Sequence, residues 1–175
     1  WRKGSDAYGS RMAQIEPTPA IRILGARVHM VEIPEVVSIM GRWIQSERGQ
    51  FHQLVNTGMH GIMEAHRDHT FKTIVNSSAL FVPDGILVSV IARLKGYRIR
   101  KSKTGPELML EFCRAYRDRG YKHYFYGDTQ ETLEQLTDTL RDTFPDIRIA
   151  GLYSPPFRAL TPEEDEAIVQ EINQA

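Results

Sequence analysis

The chain has a single cysteine, Cys113, and no net charge. A lone thiol cannot close an internal disulfide, so the sequence points to a cytoplasmic rather than an oxidising setting. Cys113 falls among Leu108, Phe112 and Tyr116 in a helical pattern, which reads as a buried structural thiol and not as a nucleophile. Lys and Arg number 22, as do Asp and Glu, so there is no global excess of positive charge for a polyanion and no nucleic-acid partner is expected. One basic cluster hides inside the neutral total: Arg98, Arg100, Lys101 and Lys103. No run approaches the ~18–20 apolar residues of a membrane-spanning helix. The first residues also lack the apolar block of a signal peptide, so any membrane contact is expected to be peripheral. Metal motifs are missing as well. His66 and His69 stand three apart on one helix face, with His60 nearby, but neither H-E-x-x-H nor a cysteine pair accompanies them, so they read as surface histidines and no metal is expected.

What is present is ordinary globular material, 175 residues of which 41% are hydrophobic and 25% charged, enough for the core of one domain and too little for two of usual size. Residues 1–20 carry Gly4, Ser5, Gly9, Ser10, Pro17 and Pro19 without an apolar period, the signature of a flexible tail or cloning remnant. Residues 21–175 read as a single α/β domain. Strands are expected at Ile21 to Met30, Phe51 to Val55, Ala79 to Val82, Lys122 to Tyr126 and Ile147 to Ala150. Helices are expected after Pro34, from Gly61 to His69, from Ile86 to Leu94, from Thr104 to Gly120, from Asp128 to Phe144, and after Thr161. The Thr161-Pro162-Glu163-Glu164 sequence is a capping box with proline in the first turn. Alternation at this spacing leaves little room for hairpins and predicts a Rossmann-like, mostly parallel sheet with helices on both faces. Val36, Met40, Trp43 and Ile44 share one helix face, which suits core packing; an exposed portion of it would suit self-association into a homo-oligomer.

In open parallel sheets ligands bind beyond the carboxyl ends of the strands. That rule selects Asn56, Asp84 with Gly85, and the Gly127-Asp128-Thr129-Gln130 turn, each of which follows a predicted strand. Asp84, between Pro83 and Gly85, suits a general base held in a tight turn; an aspartate there equally suits the N-cap of the helix that follows. Gly127 lets backbone approach a ligand at a helix N-terminus, and Asp128 fits a hydroxyl or base-edge contact better than a phosphate. Thr104 and Gly105 open another helix just after Lys101 and Lys103, where backbone N–H groups and an ammonium could hold an anion; a solvated basic loop accounts for the same residues.

Taken in order, Ile23-Leu24-Gly25, Val55-Asn56, Val82-Pro83-Asp84-Gly85, Leu94-Lys95-Gly96, Thr104-Gly105-Pro106-Glu107-Leu108 and Tyr126-Gly127 resemble the WecG/TagA/CpsF glycosyltransferase family over roughly Ile21 to Gly151. The Pro-Asp-Gly turn followed at this interval by Thr-Gly-x-x-Leu is the most distinctive piece. The resemblance implies an inverting transferase that takes a UDP-sugar, typically UDP-N-acetylmannosamine, to a polyprenyl-diphosphate-linked acceptor in cell-envelope polysaccharide or teichoic acid assembly. It implies Asp84 as base, Asn56 in the donor pocket, Gly127 near the nucleotide, and no metal or other cofactor. Two positions depart from the family pattern: Leu54 stands where a threonine is usual and Ser102 where an arginine is usual. The family's C-terminal portion, with a Pro-Lys-Gln-Glu segment and a basic membrane-contacting appendage, has no counterpart in this sequence. A nucleotide-binding module without catalysis is the alternative those departures leave open.

Overall fold

The computed structural model describes residues 18–46, 49–97 and 104–175. It is an α/β protein that divides into two compact units, one through Met109 and one from Leu110.

The first unit begins with strands β1 (Ala20–Ile23) and β2 (Ala26–His29), followed by helix α1 (Ile33–Ser46). Where the sequence suggests one strand over Ile21 to Met30, the chain turns back on itself. Leu24 (φ 50°) and Gly25 (φ 89°) both occupy the left-handed region, and β1 and β2 pair antiparallel with Ile23 opposite Ala26. That is a two-residue hairpin turn, and it requires positive φ at both central residues. The expectation of an uninterrupted strand is thereby corrected, and a hairpin stands where the spacing left little room for one. Asn76 fixes the turn from outside: its side chain accepts the Arg27 N–H at 2.8 Å and donates to the Gly25 carbonyl at 3.1 Å. The Arg27 guanidinium adds bonds to the carbonyls of Asn76 and Ser78.

Strand β3 (Leu54–Thr57) leads into helices α2 (Met59–Arg67) and α3 (His69–Ser77), and strand β4 (Leu80–Pro83) into helix α4 (Ile86–Leu94). The single helix expected to His69 is two, because the Asp68 carboxylate accepts the N–H groups of Thr70 and Phe71 and starts a second helix that runs on through Asn76 and Ser77. β3 and β4 are parallel, with Asn56 opposite Val82 and Thr57 opposite Pro83. A buried histidine stands against the other side of β4: His29 Nδ1 accepts the Phe81 N–H at 2.9 Å, a side chain taking the place of a ladder carbonyl. The core gathers Ile21, Ile23, Ala26 and Val28 from the hairpin, Ile62 and Ala65 from α2, Val75, Phe81, and Val88 and Ala92 from α4. From α1 the buried residues are Ile33, Val36, Val37, Ile39 and Gly41. Met40, Trp43 and Ile44, expected in the core, line an apolar groove of about 500 Å³ with Phe51, His52 and Leu54, where Trp43 stacks on His52 at 4.6 Å.

Helix α5 (Gly105–Ala115) contains the boundary between the units. In the second unit a single 3-10 turn, Arg117–Arg119, ends at Gly120 in the left-handed conformation, and strand β5 (Lys122–Tyr126), helix α6 (Gln130–Thr143), strand β6 (Arg148–Tyr153) and helix α7 (Pro162–Gln174) follow. β5 and β6 are parallel, with a register shift between His123 and Tyr124. β6 runs through Gly151 instead of stopping there, and the reason is steric. A Cβ at position 151 would overlap the ring of Tyr124, its partner across the strands, so glycine leaves room for that ring. Phe112, Cys113, Leu133, Leu140, Phe144 and Ile168 are buried in this unit. Burial raises the Cys113 thiol pKa, as a structural cysteine requires. The expected capping box is present: Thr161 Oγ1 accepts from Glu164 N, and Glu164 accepts from Thr161 N at 2.9 Å.

Among the described residues no helix is long and apolar enough to cross a membrane, and no three His, Cys, Asp or Glu side chains come together as metal ligands.

Candidate functional site

The parallel pair β3 and β4 delivers two polar side chains to its carboxyl end. Thr57 closes β3 opposite Pro83, so Asp84 comes to lie beside Gly58, and the Asp84 N–H extends the ladder to the Thr57 carbonyl at 3.2 Å. The approach is close. A Cβ on Gly58 would lie 2.8 Å from the Asp84 carbonyl oxygen, so only glycine lets α2 begin where it does without displacing Asp84. Gly61 has the same role within α2, where any side chain would overlap that of Thr57.

Asp84 is half-buried, and it is not the cap of α4. The N-cap is Gly85, at φ 84° and ψ 155°, and no side chain bonds the first N–H groups of that helix. Only glycine adopts such a backbone at low cost. The two roles that the sequence leaves open for Asp84 are thus separated: Gly85 makes the turn, and among the described residues the Asp84 carboxylate has no hydrogen-bond or ion-pair partner. A carboxylate in that position is free to accept a proton from a bound hydroxyl.

Asn56 lies one strand over. Among the described residues its buried Nδ2 has no hydrogen-bond partner, and its Oδ1 stands 2.9 Å from where a Cβ on Gly105 would be. A buried donor left unpaired costs about 1–3 kcal/mol, which an acceptor oxygen of a ligand would recover. Gly105 is the first residue of α5, so the strand-end amide and a helix N-terminus meet through the absence of a side chain. Thr104 precedes it as the cap residue; its N–H is taken by Glu107 at 2.9 Å, and its carbonyl accepts from Leu108. Pro106 has no N–H, so the donors at this helix end that could face an anion are those of Gly105 and Glu107. The first unit therefore sets Asn56 against Gly105, which follows Thr104, and places Asp84 and Gly85 at the end of the adjacent strand. Lys101 and Lys103 lie outside the described residues, as does Ser102.

The second unit places Gly127, Asp128 and Gln130 at the carboxyl end of β5. Gly127 (φ 129°) has open space where a Cβ would be, which admits a close approach, but its N–H is spent on the Tyr153 carbonyl at 3.0 Å. The helix expected from Asp128 starts at Gln130, and Asp128 is not its cap. Thr129 is, accepting from Thr132 N, while Asp128 sits at φ 55° with its carboxylate on the Thr129 N–H at 2.7 Å and its carbonyl on the Ser154 hydroxyl at 2.6 Å. Gln130 donates along its own helix to Glu134 at 2.8 Å. Sequence reasoning passed over Tyr126 and Tyr153. They close the two strands side by side, rings stacked 5.8 Å apart at 10°, with Tyr126 half exposed. Two aromatic residues at equivalent ends of neighbouring strands were the available signal. Such a pair offers a face on which a planar base can stack.

The model of the Glycosyl transferase WecG/TagA/CpsF family matches residues 21–175. Two curated relatives carry the name N-acetylglucosaminyldiphosphoundecaprenol N-acetyl-beta-D-mannosaminyltransferase. That of Bacillus subtilis (strain 168) is 24% identical over 87 residues, and that of Bacillus spizizenii 24% over 88 residues. Each match spans 50% of this chain and 34% of the relative, about a third of the length of the proteins it matches.

Proposed function

The chain belongs to the WecG/TagA/CpsF glycosyltransferase family, and from that premise we propose that it moves a sugar from a UDP-sugar to a polyprenyl-diphosphate-linked acceptor at the inner face of the cell membrane, in the assembly of an envelope polysaccharide or teichoic acid. The donor sugar is N-acetylmannosamine or a related hexose. The names of the two relatives, which specify an N-acetylmannosaminyl group and a diphosphoundecaprenol acceptor, support that choice.

The observation that carries the reading is the pairing of an uncommitted Asp84 carboxylate with the unpaired Asn56 donor on adjacent strand ends. In the proposed reaction Asp84 takes the proton of the acceptor hydroxyl as its oxygen attacks the anomeric carbon, and the bond from that carbon to the UDP oxygen breaks on the opposite side. The configuration inverts. Asn56 Nδ2 donates to a donor oxygen, which satisfies the buried amide and fixes the reacting carbon within reach of Asp84. Charge developing on the leaving diphosphate falls to the α5 N-terminus, and by sequence position to Lys101 and Lys103. Within the second unit, Gly127 and Asp128 with the Tyr126 and Tyr153 rings are proposed on their own account as a face for a planar base. The transfer is proposed to proceed without a metal, a reading supported by the lack of a D-x-D pair in the sequence.

The test is transfer from UDP-N-acetylmannosamine to a short-chain polyprenyl-diphosphate N-acetylglucosamine, with the product anomer read by NMR and EDTA present in a parallel reaction. Inverted product that disappears in Asp84→Asn supports the proposal. Unchanged turnover in that variant removes Asp84 from the mechanism, and UDP binding without transfer across a panel of donors and acceptors would favour a nucleotide-binding module.

A further inference from the structure

Helix α4 is apolar on two sides, and the fold uses one. Val88 and Ala92 enter the core, and Ser89 is buried beside them. At about 100° per residue, Ile86, Leu87, Val90 and Leu94 fall within one arc of roughly 100° on a different face. All four are exposed, at 75%, 58%, 42% and 83%. A contiguous aliphatic strip of this kind marks an interaction surface.

Its composition narrows the occupant. The strip contains no aromatic ring, hydroxyl or amide with which a protein partner would be specified. Its border is cationic: Arg93 lies in the last turn and Lys95 follows as the C-cap. The sequence continues through Arg98, Arg100, Lys101 and Lys103, without one Asp or Glu between Arg93 and Thr104. Aliphatic side chains on one helix face with cations at its edge complement an anionic bilayer, the aliphatic groups reaching the acyl boundary while long basic side chains stay among the phosphates.

We propose that α4 is an interfacial helix that beds its Ile86, Leu87, Val90 and Leu94 face into an anionic bilayer, with Arg93 and Lys95 against the lipid phosphates. The link to catalysis rests on the transfer reading above. α4 starts two residues after Asp84, so an embedded α4 holds the base at the membrane surface, where the hydroxyl of a lipid-linked acceptor arrives. Bilayer binding itself does not depend on that reading.

Flotation of the whole chain with phosphatidylglycerol/phosphatidylethanolamine vesicles, compared with phosphatidylcholine vesicles, tests the proposal. The chain is expected to float with the anionic vesicles at low salt. Leu87→Glu combined with Leu94→Glu should weaken binding at least tenfold and Lys95→Glu should weaken it severalfold, while Phe157→Glu, at an equally exposed apolar residue elsewhere, should change nothing. Because the altered residues are exposed, unchanged far-UV circular dichroism melting is expected to accompany the loss. The proposal is overturned if the chain fails to float, if the double variant floats like the wild type, or if phosphatidylcholine binds equally well. It is also overturned if the same variants abolish a dimer in light scattering while no vesicle binding exists, which would make a second copy the occupant. Asp84→Asn must still float; flotation of the unaltered chain without any sugar transfer would sink the transfer reading and leave this one standing.

Discussion

Gly58 and Asp84 approach so closely that a single methyl group would not fit between them, with 2.8 Å separating a Cβ on Gly58 from the Asp84 carbonyl oxygen. The neighbour is backbone and cannot swing aside. Gly58→Ala is therefore expected to move Asp84, although residue 58 contributes no chemistry. Overpacking of this kind costs about 1–3 kcal/mol, and displacing a reacting group by about 1 Å costs up to ~10²-fold in rate. Urea melts and steady-state transfer assays on one preparation would separate the two. A variant with full activity would mean that the turn tolerates the shift and that Asp84 need not be held where it is.

At the adjacent strand end, Asn56→Ala and Gly105→Ala are expected to act on one interaction from opposite sides. The first removes the unpaired donor, and the second drives a methyl against Asn56 Oδ1, 2.9 Å away. Both should weaken UDP-sugar binding, by roughly 10-fold for one lost hydrogen bond of 1–1.5 kcal/mol. The double variant should be no worse than the more severe single one, because neighbours sharing an interaction are not additive. Calorimetric titration with the UDP-sugar would show it. Full additivity would separate Gly105 from the amide.

Asp84→Asn keeps the shape of the side chain and removes the base. A fall in kcat of about 10²–10⁴ is expected, with little change in UDP affinity. A pH profile of kcat/KM that loses its acidic limb in the variant would tie the loss to the carboxylate.

His29 gives stability a pH dependence. Burial and then the Arg27 guanidinium hold its pKa below the usual 6.5, and protonation at Nδ1 would forfeit the bond from the Phe81 N–H. The unfolded chain therefore takes up the proton more readily than the folded one. Its contribution is fully present above pH 6.5 and is lost as pH falls from there through the lower folded value. Burial shifts His123 in the same direction, so two histidines share the window. Urea midpoints should fall across it, and His29→Gln, which keeps an acceptor for Phe81, should flatten some of the slope. An unchanged slope in that variant would assign the dependence to His123.

In the second unit, the Tyr124 hydroxyl donates to Glu171 at 2.6 Å, and that bond pushes the phenol up to about 12. Ultraviolet titration should show one tyrosine ionising late, absent in Tyr124→Phe and moved down in Glu171→Gln. If the late component survives Glu171→Gln, another cause holds the phenol.

What the sequence discloses and what it hides divide along physical lines. Ile86 to Leu94 and Lys122 to Tyr126 were legible because apolar period alone defines them, and the α7 start because a capping box is local chemistry. The hairpin was hidden because its turn carries Leu24 in the left-handed region, where asparagine or aspartate normally signals the shape. Its cost is met by tertiary bonds from Asn76, which no local pattern shows. The strand-end rule found Asn56 and Asp84. It could not find Gly58, whose role consists of a contact, nor choose between base and cap for Asp84 before the backbone of Gly85 was known.

The four bonds joining Arg27, Gly25, Asn76 and Ser78 carry a consequence for motion. Because Asn76 serves the hairpin with its side chain while its own carbonyl holds Arg27, neither the β1–β2 turn nor the end of α3 can open without breaking the other's bonds. The two should exchange their amide hydrogens as one cooperative body, and loosening either would loosen the segment that leads into β4 and Asp84.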